Sequence, residues 1–130
     1  MDFRPWYDAL IKPPWTPEAG TISLIWTILY PIIAISFGFV FYKVFKKKIP
    51  KKVALPFIIN LAANLAFTPI FFGLKNIPLA TVDILIVWVT ILWAMKVISK
   101  YYRWVALAQI PYLIWVSTAT LLQLSIALLN

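Results

Sequence analysis

An all-α integral membrane protein, built as a compact bundle of four transmembrane helices, is the fold class this chain predicts, and three observations carry it. The first is composition: 63% of the 130 residues are hydrophobic and only 12% charged, more apolar surface than a water-soluble domain of that length can hide. The second is distribution. The apolar residues fall into four runs, roughly 21–42, 53–72, 79–98 and 104–129, each long enough at about 1.5 Å per residue to cross a hydrocarbon layer of about 30 Å. The third is that Lys and Arg occur only outside these runs or at their ends, where a charge need not enter lipid.

Taken in order, residues 1–20 form a polar segment rich in tryptophan and proline. It is too polar for a span and lacks the short apolar core and small-residue cleavage site of a signal peptide. Trp6, Pro13, Trp15 and Pro17 make it stiff and aromatic, and it runs directly into the first span, so it reads as a lid on the bundle. The connections between spans are short: KVFKKKIPKK at 43–52, GLKNIP at 73–78 and SKYYR at 99–103. Consecutive helices are therefore antiparallel neighbours. The length allows one domain, with no internal repeat and no low-complexity stretch. Pro31, Pro56, Pro69 and Pro111 are expected to kink or locally open their helices, since each lacks an N–H for the carbonyl four residues back.

Orientation follows from the basic residues. Lys43, Lys46, Lys47, Lys48, Lys51, Lys52, Lys96, Lys100 and Arg103 fall on one side, against Arg4, Lys12 and Lys75 on the other. The positive-inside rule then places the 43–52 loop in the cytoplasm of a multi-pass cell-membrane protein, with both termini outward. The net charge of +8 is concentrated at that juxtamembrane loop, which suits anionic lipid rather than nucleic acid.

Cysteine and histidine are both absent, which excludes disulfides, thiolate chemistry, imidazole acid–base chemistry and the usual zinc or haem ligation. No metal and no resident cofactor is expected. The remaining candidates are polar side chains at membrane depth, because lipid makes each of them costly without a partner or a cavity. Asn60, Asn64 and Thr68 recur at i, i+4 and i+8 beside Phe67 and Phe71, so they share a helix face directed into the bundle. That stripe serves either as interhelical glue or as part of a ligand site. Asp83, four residues into the third span, is the only acid at membrane depth. It is either a helix-start carboxylate favoured by the dipole or a ligand or gating group. Trp26 and Tyr30 are paired at i, i+4, and Tyr112, Trp115, Ala119 and Gln123 share one broad face of the last span. Small Ala119 leaves room for a flat molecule against the Trp115 indole. Tyr101 and Trp104 lie at a span end and read as interfacial anchors. Trp88 and Trp93 carry no assigned role.

These residues, in this order, resemble the tryptophan-rich sensory protein (TspO), or translocator protein, family, also called the peripheral-type benzodiazepine receptor family. The matching pieces are WYDALIKPPWTP, the WTILY that follows, ANLAFTPIFFG at 63–73, Asp83 ten residues later, and PYLIWVSTATLLQ at 111–123. The resemblance covers nearly the whole chain from Trp6 onward. It implies a compact, usually dimeric helical bundle that binds porphyrins, sterols and hydrophobic drugs in a pocket roofed by the first loop. Trp26 and Trp115 match the family's two ligand-facing tryptophans, which are implicated in its porphyrin-degrading activity. Asn64, Phe71, Asp83 and Ala119 match other lining positions, with Tyr30 and Phe67 as neighbours.

Several departures accompany the resemblance. Phe67 stands for a common Trp, Glu18 for the second residue of a Pro-Pro pair in the lid, and Ser23-Leu24 for a Gly-Pro. Leu124 occupies the tyrosine position of the last helix's cholesterol-recognition pattern, so sterol binding by that motif is not expected. The family usually has five spans, and Met1 falls within what is normally the first loop. One pocket wall is then expected to come from elsewhere, for example a second copy of the chain, with Ser117 and Ala119 allowing close helix approach. Three functions follow from the residues and the resemblance together. One is a sensory, regulatory or translocating protein that binds porphyrin or another flat hydrophobic molecule. Another is an oxidative porphyrin-degrading enzyme acting through Trp26 and Trp115. The third is a small membrane interaction protein whose pocket has decayed.

Overall fold

The structure, a computed structural model, describes residues 9–130. Four helical stretches within it are long and apolar enough to cross a membrane: Gly20–Phe45, Lys51–Gly73, Ile77–Ile98 and Arg103–Leu129. No strand occurs among the described residues. The expected class, an all-helical membrane bundle, is the class observed.

Helix α1 (Ala19–Phe45) runs 27 residues without a break, about 40 Å at helical rise. Pro31 lies inside it and offers no N–H to the Thr27 carbonyl, yet the helix continues. The helix ends where Lys47 takes a left-handed φ of 59°. A single 3₁₀ turn, Lys51–Val53, then leads into α2 (Ala54–Thr68). Pro56 therefore sits in the first turn of α2, where a missing N–H costs no hydrogen bond. The helix runs uninterrupted through Pro56 to Thr68. At Pro69 the helix widens into a π turn, Pro69–Gly73. Pro69 cannot donate to the ladder, and the Leu74 N–H instead reaches back five residues to the Pro69 carbonyl at 2.9 Å.

Helix α3 (Ile77–Ile98) starts at Asn76, whose Oδ1 accepts from the Leu79 N–H at 3.1 Å. The run expected to span 104–129 as one helix is divided into α4 (Arg103–Ala108) and α5 (Ile110–Leu129). The cause is Pro111, which removes one rung of the ladder and crowds the carbonyl four residues earlier. Gln109 fills the break: its Nε2 donates to Val105 O at 3.1 Å and to Ser36 Oγ of α1 at 2.8 Å.

The core follows helical spacing. Ile84, Val87, Ile91, Ala94 and Ile98 form the buried stripe of α3, facing Leu29, Ile33, Phe37 and Val40 of α1, Val53 of the 3₁₀ turn and Phe57 of α2. Helix α3 is the centre of the bundle, packed along its length on α2 and α5, while α1 touches its neighbours less extensively. Trp88 Nε1 donates to Ser117 Oγ at 3.0 Å and ties α3 to α5. Ser117 is thus engaged within the bundle. A smaller apolar cluster of Phe71, Ala80, Leu122 and Ile126 closes the opposite end from the lysines, with Leu10 packed onto it. There Asn130 grips the backbone of Ile11, accepting from its N–H at 3.1 Å and donating to its carbonyl at 2.9 Å.

Candidate functional site

In the half of the bundle next to Asn130, the helices diverge around a cavity of about 700 Å³, within the roughly 300–1,000 Å³ of small-molecule sites. Each wall follows from local sequence. From α1 come Ile22, Trp26 and Tyr30 at i, i+4 and i+8. From α2 come Asn64, Phe67 and Thr68, and the π turn swings Phe71 and Phe72 into line with them. Helix α3 supplies Ile84 and Val87, and α5 supplies Trp115, Ala119, Leu122 and Gln123. A shallower hollow of about 480 Å³ lies nearby, between residues 74–78 and the chain end at Asn130, but it has no aromatic wall.

Aromatic contacts organise the cavity. The rings of Trp26 and Tyr30 stack at 5.1 Å between centroids, and Tyr112 meets Trp26 edge-on at 6.4 Å. Across the space Phe67 and Phe71 stack at 5.5 Å with their planes 11° apart, and Phe72 abuts Phe71 edge-on at 4.8 Å. These are favourable offset and edge geometries.

Beneath the rings runs a chain of hydrogen bonds across four helices. The Tyr30 hydroxyl donates to Asn64 Oδ1 at 3.4 Å, and Asn64 Nδ2 donates to the Tyr112 hydroxyl at 2.6 Å. Tyr112 in turn donates to Asn60 Oδ1 at 2.9 Å. Asn60 Nδ2 donates to Val87 O and Thr90 Oγ1 of α3, each at 3.0 Å. The Asn60, Asn64 and Thr68 stripe therefore divides by depth. Asn60 is fully enclosed and is glue, Asn64 belongs both to the network and to the cavity wall, and Thr68 lies exposed at the rim. Nearer the Asn130 end, Gln123 Nε2 donates to Thr81 Oγ1 at 3.0 Å.

Of the residues singled out from the sequence, Trp26, Tyr30, Asn64, Phe67, Phe71, Trp115 and Ala119 meet at this one cavity. Asp83 does not. It is buried one turn from Val87, outside the wall, with Oδ2 enclosed and unpartnered among the described residues. The lid residues Pro13, Trp15 and Pro17 also stay off the wall, Trp15 being 48% exposed, and Trp6 lies outside the described residues. The described part of the lid is instead moored by Leu10 and by the Ile11–Asn130 pairing. Ala119 faces the cavity. Sequence reasoning missed Thr90 and Thr81, whose single hydroxyls resemble any other threonine in a span until their partners are known. It also missed Phe72, whose direction depends on the π turn.

The mouth is lateral. Gly20, Ser23, Thr27 and Tyr30 of α1 and Thr68 at the end of α2 line the cavity and are all exposed, so the space opens between these two helices.

The fold and the cavity define a multi-pass helical membrane protein with an internal, aromatic-walled site. The TspO/MBR family pattern matches residues 1–129. The chain is 39% identical over 127 residues to the tryptophan-rich protein TspO of Bacillus cereus, covering 98% of this chain and 82% of that protein. It is 30% identical to the tryptophan-rich sensory protein of Cereibacter sphaeroides, over 96% of this chain and 77% of that one. It is also 30% identical to the human translocator protein, over 85% and 73% respectively. The chain belongs to the TspO/MBR family.

Proposed function

We propose that the chain binds porphyrins or similar flat hydrophobic molecules in this cavity, in a sensory, regulatory or translocating role. The observation that carries the reading is the pairing of two stacked aromatic walls, Trp26–Tyr30 and Phe67–Phe71, with hydrogen-bonding groups at their base. A flat conjugated ring inserted between such walls gains about 0.5–1.5 kcal/mol per aromatic contact beyond its buried area. Asn64 has a second amide N–H to offer, since only one is used toward Tyr112. The Trp115 indole N–H is buried with no acceptor among the described residues; a ligand carbonyl or carboxylate reached by a small ring rotation would relieve the cost of that orphaned donor. With no His or Cys in the sequence, a tetrapyrrole here is held by stacking and hydrogen bonds rather than by an imidazole or thiolate on its metal.

Two further parts of the reading concern its setting. The lysine-rich end faces the cytoplasm of the cell membrane, on the charge asymmetry given above. The lateral mouth is covered by self-association of the chain, because hydroxyls at the rim are costly against lipid. The function is tested by titrating protoporphyrin IX into the purified protein: saturable quenching of tryptophan fluorescence is expected, and its absence refutes the reading. Light- or oxidant-dependent loss of the porphyrin absorption band would instead favour degradation.

A further inference from the structure

At the end of the bundle remote from the cavity, positive charge is arranged in a way that the cavity does not require. Helix α1 closes with Lys47 N–H bonded to Val44 O at 3.0 Å and Lys48 N–H bonded to Lys43 O at 2.9 Å. This is the Schellman pattern, whose left-handed position is usually glycine. Here it is Lys47 at φ 59°, while none of the chain's glycines has a positive φ. A lysine is kept where the backbone favours glycine. Beyond it Ile49 and Val53 are buried and pin the loop, so that Lys47, Lys48, Lys51 and Lys52 are all turned outward.

Aromatic rings fix the depth of this crown. Lys43 Nζ sits 5.3 Å from the Phe39 ring centroid and 5.7 Å from that of Tyr102, and Lys46 Nζ lies 5.8 Å from Tyr42 and 5.9 Å from Phe45. Tyr42, Phe45, Tyr101 and Trp104 are exposed around it, an aromatic belt of the kind that sits at headgroup level. Phe39 touches Tyr102 and Trp104 edge-on, which brings the 99–103 connection, with Lys100 and Arg103, to the same surface. Of the described residues, the acids are Glu18 and Asp83, and neither is at this end. Among the described residues no carboxylate supplies a countercharge here.

We infer that this crown is a docking surface for anionic phospholipid headgroups of its own leaflet, with Lys47, Lys48, Lys51 and Lys52 meeting phosphates and the aromatic belt setting their height. The inference goes beyond the cavity reading and does not depend on it. A basic residue at such a surface contributes up to about fivefold in lipid affinity, weakening with salt.

The test uses the purified full chain reconstituted in symmetric vesicles, so that orientation does not enter. Association of spin-labelled phosphatidylglycerol is compared with that of spin-labelled phosphatidylcholine in a phosphatidylcholine host. The parent is expected to prefer phosphatidylglycerol by about fivefold at low salt, the preference falling toward unity at high salt and in the variant Lys47→Gln, Lys48→Gln, Lys51→Gln, Lys52→Gln. Lys47→Gly separates charge from fold: it should raise the melting temperature, because glycine suits the backbone there, while lowering the preference. This single variant carries the test if the fourfold one does not fold. Equal association of the two lipids with the parent overturns the inference. So does an undiminished preference in the charge variants, which would assign the lysines to orientation alone.

Discussion

Removing one oxygen atom from Tyr112 should weaken the whole fold. Tyr112→Phe keeps the ring, and with it the edge contact to Trp26 at 6.4 Å, so the loss is confined to a hydroxyl that is 0% exposed. That hydroxyl accepts from Asn64 at 2.6 Å and donates to Asn60 at 2.9 Å. Interhelical hydrogen bonds in membrane proteins average about 0.6 kcal/mol and reach about 1.7, so two of them give about 1–3 kcal/mol. The same range follows from leaving an amide oxygen and an amide N–H enclosed without partners. The assay is reversible unfolding in mixed micelles with increasing dodecyl sulfate, followed by helical circular dichroism. Tyr101→Phe, at an exposed site by the lysines, is the control and should stay within about 0.5 kcal/mol of the parent. A Tyr112→Phe protein that also stays within that margin would refute the argument that the buried network holds α2, α3 and α5 together.

Trp115→Leu should weaken protoporphyrin IX binding by about 1–3 kcal/mol through lost area and stacking, whereas Trp104→Leu, altering a ring 45% exposed at the other end, should not. Equal affinity of all three proteins would remove the cavity as the binding site. For orientation, single cysteines at Lys47 and Lys75 are to be labelled in intact cells with an impermeant maleimide. Position 75 should react and position 47 should not, and the reverse pattern overturns the assignment. A cysteine at Thr27, on the exposed rim of α1, should form disulfide-linked dimers in native membranes. A monomer that still binds porphyrin tightly would show that the mouth needs no second copy.

How much of this was legible in the sequence depends on whether the information is local. The four spans were, because twenty apolar residues in a row have few other solutions. The shared face of Asn60, Asn64 and Thr68 was legible from spacing, but spacing cannot tell glue from ligand site. That choice depends on Tyr112 and Thr90, which lie 52 and 30 residues from Asn60. Pro69 and Pro111 interrupt their helices, whereas Pro31 and Pro56 do not, and for Pro56 the difference is positional. A missing N–H is costly in the middle of a helix and harmless in its first turn, so Pro56 could be read only once the 3₁₀ turn before α2 had fixed where that helix begins. Family position suggests Asp83 for the wall, but the cavity lining does not include it. The mooring of the lid through Ile11 and Asn130 spans 119 residues, a pairing that no local pattern announces.

The two halves of the bundle divide the work of folding and binding. Toward the lysines, α1 is held by interlocked side chains: Phe37 against Phe57 at 4.9 Å, Phe39 against Tyr102 at 4.9 Å, and Ser36 bonded to Gln109 at 2.8 Å. Toward Asn130 its direct polar tie to α2 is the long 3.4 Å bond from Tyr30 to Asn64, and the cavity lies between them. A wall fixed at one end and weakly tied at the other can yield to a ligand without loss of the core, because Ser36, Phe37 and Phe39 hold α1 at the fixed end. Pro31 stands at the junction, where it supplies no N–H to Thr27 on the cavity rim. Substitutions at Ser36, Phe37 or Gln109 should therefore act chiefly on stability, and those at Trp26 or Trp115 chiefly on binding. Asn64 and Tyr112, where the network meets the cavity, are the positions at which the two effects cannot be separated.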